Sequence, residues 1–182
     1  VDAWSVNKDD YDLYGKSGTE FRRARLFIKG TMYDNWTYKG QYDFAGNSTT
    51  IKDAWIGYNG FDAFKIKVGQ FKQPMGLEEL TSSKYITFME RALPVEAFAP
   101  SRRLGIGGHS HSKAGMSWTA GYGVFADTVD ADNGNTNEGY GYAGRATIAP
   151  LVEKNRVVHL GGYAEWRNTT NDDDVRYRTR SE

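Results

Sequence analysis

Cysteine is absent from the 182 residues, which excludes disulfides and thiolate metal centres. Histidine is nearly absent too: His109, His111 and His159 are the only imidazoles, so a Ser-His-Asp arrangement has few candidate bases, and no G-x-S-x-G occurs. An excess of one charge sign is also missing, since 23 Lys and Arg stand against 23 Asp and Glu. No global field therefore draws the chain to nucleic acid or anionic lipid, and attraction for a charged solute must come from local segregation of charge. Nowhere do ~18 apolar residues run together, so a membrane-spanning helix is excluded on length. Residues 1–10 carry acids and no apolar stretch of the secretory type. They read as the tail of a strand, and the N-terminus is expected to be trimmed.

Tyrosine and tryptophan, by contrast, are plentiful at 12 and 5 residues, and glycine numbers 21. Both aromatic types carry an apolar ring and a polar edge, which suits a membrane–water boundary. A transmembrane barrel escapes hydropathy analysis because each strand needs only about 9–11 residues with one apolar face. A soluble β-sandwich shares this composition, so the pattern along the chain has to decide.

That pattern has period two. In residues 36–45, Trp36, Tyr38, Gly40, Tyr42 and Phe44 point one way and Thr37, Lys39, Gln41, Asp43 and Ala45 the other. Residues 116–125 set Met116, Trp118, Ala120, Tyr122 and Val124 against Ser117, Thr119, Gly121 and Gly123. Residues 156–167 set Val158, Leu160, Ala164 and Trp166 against His159, Tyr163, Glu165 and Arg167. Residues 64–70 and 21–31 alternate likewise, with Phe27 an apolar exception on the polar side of the latter. Weaker strands are expected over 1–7, 51–58, 103–109 and 140–149; the polar face of 51–58 stays open. The total is about nine strands. Their connections alternate in length: 33–35, 59–63, 110–114 and 150–155 are short, whereas 8–20, 72–102, 126–139 and the stretch after 168 are long and polar, only 46–50 being brief on that second side. Short turns at one end and long loops at the other are expected of bacterial outer-membrane barrels, and a soluble Greek key has no reason to sort its loops so. These barrels have even strand numbers, and an open edge in lipid leaves backbone groups unpaired. The native chain is therefore expected to continue beyond Glu182, residues 1–182 being an N-terminal portion of one barrel domain.

With the apolar faces toward lipid, Arg23, Arg25, Lys29, Lys39, Lys65, Lys67, Arg145 and Arg167 face inward, against Asp43 and Glu165 as the clear acids. Each Lys or Arg placed outward near the midplane costs about 2–4 kcal/mol, which fixes the facing. A bore neutral overall but basic inside prefers anions. The long segment 72–102 is expected to hold a short helix over 84–92, N-capped by Ser82 or Ser83 and stopped by Pro94, and to fold into the barrel as a constriction loop bearing Glu78 and Glu79. Arg176, Arg178 and Arg180 alternate in DDDVRYRTR, so an extended backbone aligns three guanidinium groups that can pass an oxyanion along; a solvated charged loop balanced by Asp172, Asp173 and Asp174 is the alternative.

The stretches FRRARLFIKGTMYDNWTYKGQYDFA (21–45), KIKVGQFKQPMGLEELTSSKYITFMERALP (65–94) and NRVVHLGGYAEWR with the following VRYRTR (155–180) resemble the phosphate-selective porins of the O and P type. The resemblance implies an all-β fold: a sixteen-stranded antiparallel transmembrane barrel of the Gram-negative outer membrane, assembled as a homotrimer, with the third loop folded inward. These residues would supply roughly its first nine strands. By position, Arg22 and Arg23 match the family's arginine pair, Ser82, Ser83 and Arg91 its third-loop anion contacts, and Arg176, Arg178 and Arg180 the ladder feeding them. Arg25, Lys65, Lys67 and Lys84 complete the candidate anion-binding set. Phosphate-selective members carry lysine where this chain has Glu79 and Thr37, which weakens the case for strict phosphate selectivity.

The function this implies is passive diffusion of small anions, phosphate or polyphosphate foremost, with a general low-selectivity porin as the alternative. No catalytic residue, cofactor or metal is expected. His109 and His111 share one strand face, but no further ligands stand near them. A soluble carbohydrate-binding sandwich remains the rival. The two differ in solubility: the intact protein is expected to need detergent and to change gel mobility on heating, and a form that stays dissolved without detergent would establish the sandwich.

Overall fold

Residues that alternate apolar with polar and are rich in Val, Ile, Tyr, Trp and Thr favour extended backbone, where side chains stand clear on both sides of a pleat. The computed structural model describes residues 2–4, 18–21, 23–46, 49–61, 63–88, 90–112, 117–126 and 139–168, and among these the alternation yields ten strands. β1 (Asp2–Trp4) and β2 (Gly18–Glu20) pair antiparallel. The other eight are β3 (Arg25–Met32), β4 (Trp36–Asp43), β5 (Thr50–Tyr58), β6 (Lys65–Lys72), β7 (Arg102–Ser112), β8 (Ser117–Phe125), β9 (Tyr140–Val152) and β10 (Val157–Asn168). They form one antiparallel sheet in which each strand pairs with its neighbour in sequence, β3 and β10 being its edges. Among the described residues no helix is long and apolar enough to cross a membrane, a statement that does not bear on strands.

Boundaries shifted where alternation alone could not see them. The expected strand over 21–31 begins only at Arg25, as β3, and β2 falls in the stretch 8–20 expected to be a loop, although the pairing with β4 extends upstream through the Phe44 N–H, which donates to the Ala24 carbonyl (2.8 Å). β9 runs on through Pro150 to Val152, where a turn was expected. Proline lacks an N–H and is tolerated at irregular pairing, and the β9–β10 register shifts between Val158 and Leu160, beside it. β7 likewise continues through His111 to Ser112.

Register sorts the side chains. Directly opposed pairs share a face, and Arg25↔Asp43, Lys29↔Lys39, Gly57↔Lys67, Lys65↔His109, Gly121↔Arg145 and Gly141↔Arg167 all fall on one side. The other side carries Leu26, Ile28, Ile56, Val68, Ile106, Trp118 and Leu160, all exposed, Leu160 at 60%. Strand β5 is settled as well: Asp53, Trp55 and Gly57 join the basic face, and Ile56 the apolar one. A continuous exposed apolar surface backed by a charged one is the reverse of a soluble sandwich, whose apolar faces meet inside. Aromatic rings gather at both sheet ends. Trp36, Tyr58, Phe61 and Phe64 make successive contacts of 5.0, 5.2 and 4.8 Å by the short turns, and Trp166 packs on Tyr140 and Tyr142 at 5.9 and 5.8 Å by the long loops. Two such girdles flank the apolar band of outer-membrane barrels.

The long connection after β6 folds back over the basic face. Its base is closed by the Gln73 N–H donating to the Ser101 carbonyl (3.2 Å). Its helices are α1 (Leu77–Leu80) and α2 (Leu93–Phe98). The helix expected over 84–92 is not formed: Ser82 instead opens a turn, its carbonyl accepting the Tyr85 N–H (2.9 Å). Pro94 begins α2 rather than ending a helix, as suits a ring whose missing N–H has no partner in a first turn. The buried apolar core is small, comprising Phe71, Met75, Phe125 and Ala143, and it lies between this loop and the sheet. Gly121 makes the approach possible, because a Cβ there would stand 2.9 Å from the Pro74 Cβ.

If the exposed apolar face meets hydrocarbon, Ile106→Arg should lower folding stability by about 2–4 kcal/mol. Urea titration of the intact protein in lipid vesicles reads this directly, and a neutral outcome would remove the face from the bilayer.

Candidate functional site

Lysine and arginine stems are long enough to carry charge away from the wall, so their partners decide what a basic face can do. Between β3–β6 and the folded loop lies an open cleft of about 970 Å³, lined by ten Lys or Arg residues and five carboxylates. The carboxylates neutralise selectively. Asp53, buried on β5, accepts hydrogen bonds from Lys39 Nζ and from Arg102 Nε (3.0 Å). Asp43 accepts from Arg25 Nε (2.7 Å) and from the Ala24 N–H (3.0 Å). Arg23 Nη2 reaches both Glu90 oxygens, at 3.0 and 2.9 Å, fastening the loop to the chain leading into β3.

Glu79 organises the loop. Its carboxylate lies 2.9 Å from Lys72 Nζ and 3.3 Å from Arg91 Nε, and it is buried. Lys72 also donates to the Glu79 carbonyl, while Arg91 donates to the carbonyls of Glu78 (3.0 Å) and Thr81 (2.9 Å). Glu78 in turn accepts the Ala92 N–H (2.8 Å) at the start of α2. Arg91 is thus spent largely on holding the loop's own backbone.

Lys29, Lys67 and Lys84 have no carboxylate partner among the described residues. Two of them lie against rings instead: Lys67 Nζ is 4.3 Å from the Trp55 ring centroid and 5.2 Å from that of Phe71, and Lys84 Nζ is 5.6 Å from that of Phe27. A π face attracts the ammonium without cancelling its charge, so these lysines keep their positive field. Among the described residues no group of three or more His, Asp or Glu side chains is placed to hold a metal ion.

Of the residues singled out in the sequence, Arg23, Arg25, Lys67, Ser82, Ser83, Lys84, Arg91 and Glu79 line the cleft together. Lys65 shares the sheet face but stands opposite His109, outside the lining. Arg22, Arg176, Arg178 and Arg180 lie outside the described residues. Asp53, Trp55, Glu90 and Arg102 were missed. Trp55 and Ile56 load both faces of β5 with apolar area, which hid Asp53 and Trp55, while Glu90 and Arg102 pair with Arg23 and Asp53, far away in sequence.

The family model described as phosphate-selective porin O and P matches residues 1–182. Porin O of Pseudomonas aeruginosa is 30% identical over 182 residues, an alignment covering 91% of this chain and 41% of that protein. An uncharacterised protein of Caulobacter vibrioides is 32% identical over 173 residues, 90% of this chain and 34% of its own length. The chain therefore spans between about a third and two fifths of these relatives.

Removing the carboxylate that joins β5 to β4 and to Arg102 leaves two facing cations. Asp53→Asn is expected to destabilise the intact protein by about 1–3 kcal/mol, as a shifted urea midpoint. An unchanged midpoint would mean that water already screens this cluster.

Proposed function

The chain belongs to the phosphate-selective porin O and P family, and on that premise we propose that it forms part of the wall and the constriction loop of a water-filled channel for small anions. The family places it in the bacterial outer membrane. The observation that carries the proposal is the pair of faces on one sheet: an exposed apolar side and a basic side on which the long loop rests. A closed barrel, completed by further strands, removes the unpaired edges that β3 and β10 would present to lipid. The channel works by passive diffusion, with no catalytic step, and is proposed to assemble as a homotrimer, as the family resemblance implies.

Anions enter a cleft whose fixed charge stays positive after its carboxylates are counted, with Lys29, Lys67 and Lys84 as the cations left for the solute. Arg23, Arg25 and Arg91 serve as positioning groups in this reading, since carboxylates and carbonyls already hold them. Ser82 and Ser83 supply hydroxyl contacts at the loop. Inorganic phosphate or polyphosphate is the leading solute. One observation favours weaker selectivity: the Glu79 carboxylate already takes the charge-assisted contacts of Lys72 and Arg91 that an incoming oxyanion would seek, so a general diffusion porin is the second reading.

Planar-bilayer recording distinguishes them. The intact protein should pass chloride in preference to potassium, and clear cation preference overturns the proposal. Replacing Glu79 by lysine would crowd a third cation against Lys72 and Arg91, so Glu79→Gln is the cleaner change. It should strengthen phosphate block of the chloride current roughly tenfold, equivalent to about 1.4 kcal/mol; an unaltered block would separate Glu79 from the conducting path.

A further inference from the structure

Behind the loop, between Pro74 and Leu80 on one side and strands β6–β9 on the other, lies a second cavity of about 280 Å³. Lys67, Phe71, Lys72 and Leu80 line both spaces, so it opens beside the main cleft. Its chemistry differs from that of the cleft. Lys72 is already matched by Glu79 at 2.9 Å. Lys67 and Arg145 form no salt bridge among the described residues, Asp53 acting on Lys67 only from a longer range, and no acidic side chain lines the cavity. The rest of the lining is mostly apolar or bare, with the Phe71 ring, Pro74, Leu80, Ala120 and the backbone of Gly107, Gly108 and Gly121, and it also includes His109, Thr119 and Tyr122.

Two unmatched cations beside an apolar wall select against a fully hydrated inorganic anion. Phosphate needs donors on every side to replace its water, and here hydrocarbon would face part of it. An organic carboxylate has the opposite requirement. Its charged end is served by an ammonium and a guanidinium, and its hydrocarbon body gains by leaving water, at roughly 25 cal/mol per Å² of apolar surface buried. The volume sets the size. Drug-sized ligands occupy pockets of about 300–1,000 Å³, so the occupant here is no larger than a single-ring acid.

We propose that this side cavity is a binding site for a small organic carboxylate with a hydrocarbon body, held by Lys67 and Arg145 at its charged end and by Phe71, Pro74 and Leu80 along its body. The site goes beyond the proposed passage of inorganic anions and rests on that reading only in opening onto the channel. Gly121 is part of it for a steric reason: a side chain there meets Pro74 at 2.9 Å and closes the floor.

Benzoate is the probe, titrated calorimetrically into the intact protein in detergent micelles, with acetate and inorganic phosphate as comparators at one ionic strength. Benzoate should bind at least tenfold more tightly than acetate, a comparison that needs no variant. Arg145→Met and Gly121→Val should each weaken benzoate tenfold or more. Equal affinity for benzoate and acetate overturns the proposal, as does full benzoate affinity in Arg145→Met. Displacement of benzoate by equimolar phosphate also overturns it, since the two would then share one ordinary anion site. Chloride conduction without benzoate binding sinks this proposal alone, whereas benzoate binding in a protein that conducts nothing supports it and sinks the channel reading alone.

Discussion

Hydrocarbon hydrates neither a peptide group nor an ion, and the organisation of this sheet follows from that constraint. Every backbone donor and acceptor at membrane depth has to be paired within the protein, which antiparallel strands each paired with the neighbour in sequence achieve. Every lysine and arginine has to leave the lipid side, which the period-two alternation achieves by register. A slip of one residue in β3 against β4 would send Arg25 and Lys29 into the bilayer and Leu26 and Ile28 into water. The aromatic clusters at the two sheet ends then sit where ring and polar edge are both satisfied.

On the wet face, charge is distributed by partner rather than by number. Carboxylates from the wall and from the loop are consumed in fastening elements together: Asp43 to Arg25, Asp53 to Lys39 and Arg102, Glu90 to Arg23. The lysines left over are the ones the proposed anion path would use. Aromatic faces under Lys67 and Lys84 hold two of these side chains in place without neutralising them. Structure and field are thereby assigned to different cations within one cleft.

The loop links these two tasks. It rests on the sheet because Gly121 leaves the wall bare under Pro74, and because Phe71, Met75 and Phe125 bury against one another beneath it. It keeps its shape because Glu79 draws Lys72 and Arg91 together while Arg91 bonds the carbonyls of Glu78 and Thr81. A residue that reads in the sequence as a lost positive charge is, in three dimensions, the centre of the loop's ion-pair network.

Most strand positions and the facing of the charged side chains on strands other than β5 were legible in the sequence, because period-two alternation is a local property that the backbone enforces residue by residue. The family could also be read, from motifs that lie along single strands and one loop. The misplaced helix over 84–92 shows where local rules stop. Serine caps and Pro94 fit either a helix before the proline or one with the proline in its first turn, and the second is formed, with Arg91 bonded to the carbonyls of Glu78 and Thr81 and the Ala92 N–H to the Glu78 carboxylate. Strand β5 stayed ambiguous because Trp55 and Ile56 are both apolar; only its register with β4 turned Asp53 and Trp55 toward the charged side. Which cations are cancelled and which stay open was decided wholly by tertiary structure, since an ion pair such as Arg102 with Asp53 or Arg23 with Glu90 joins residues far apart in sequence whose separation in space no local pattern encodes.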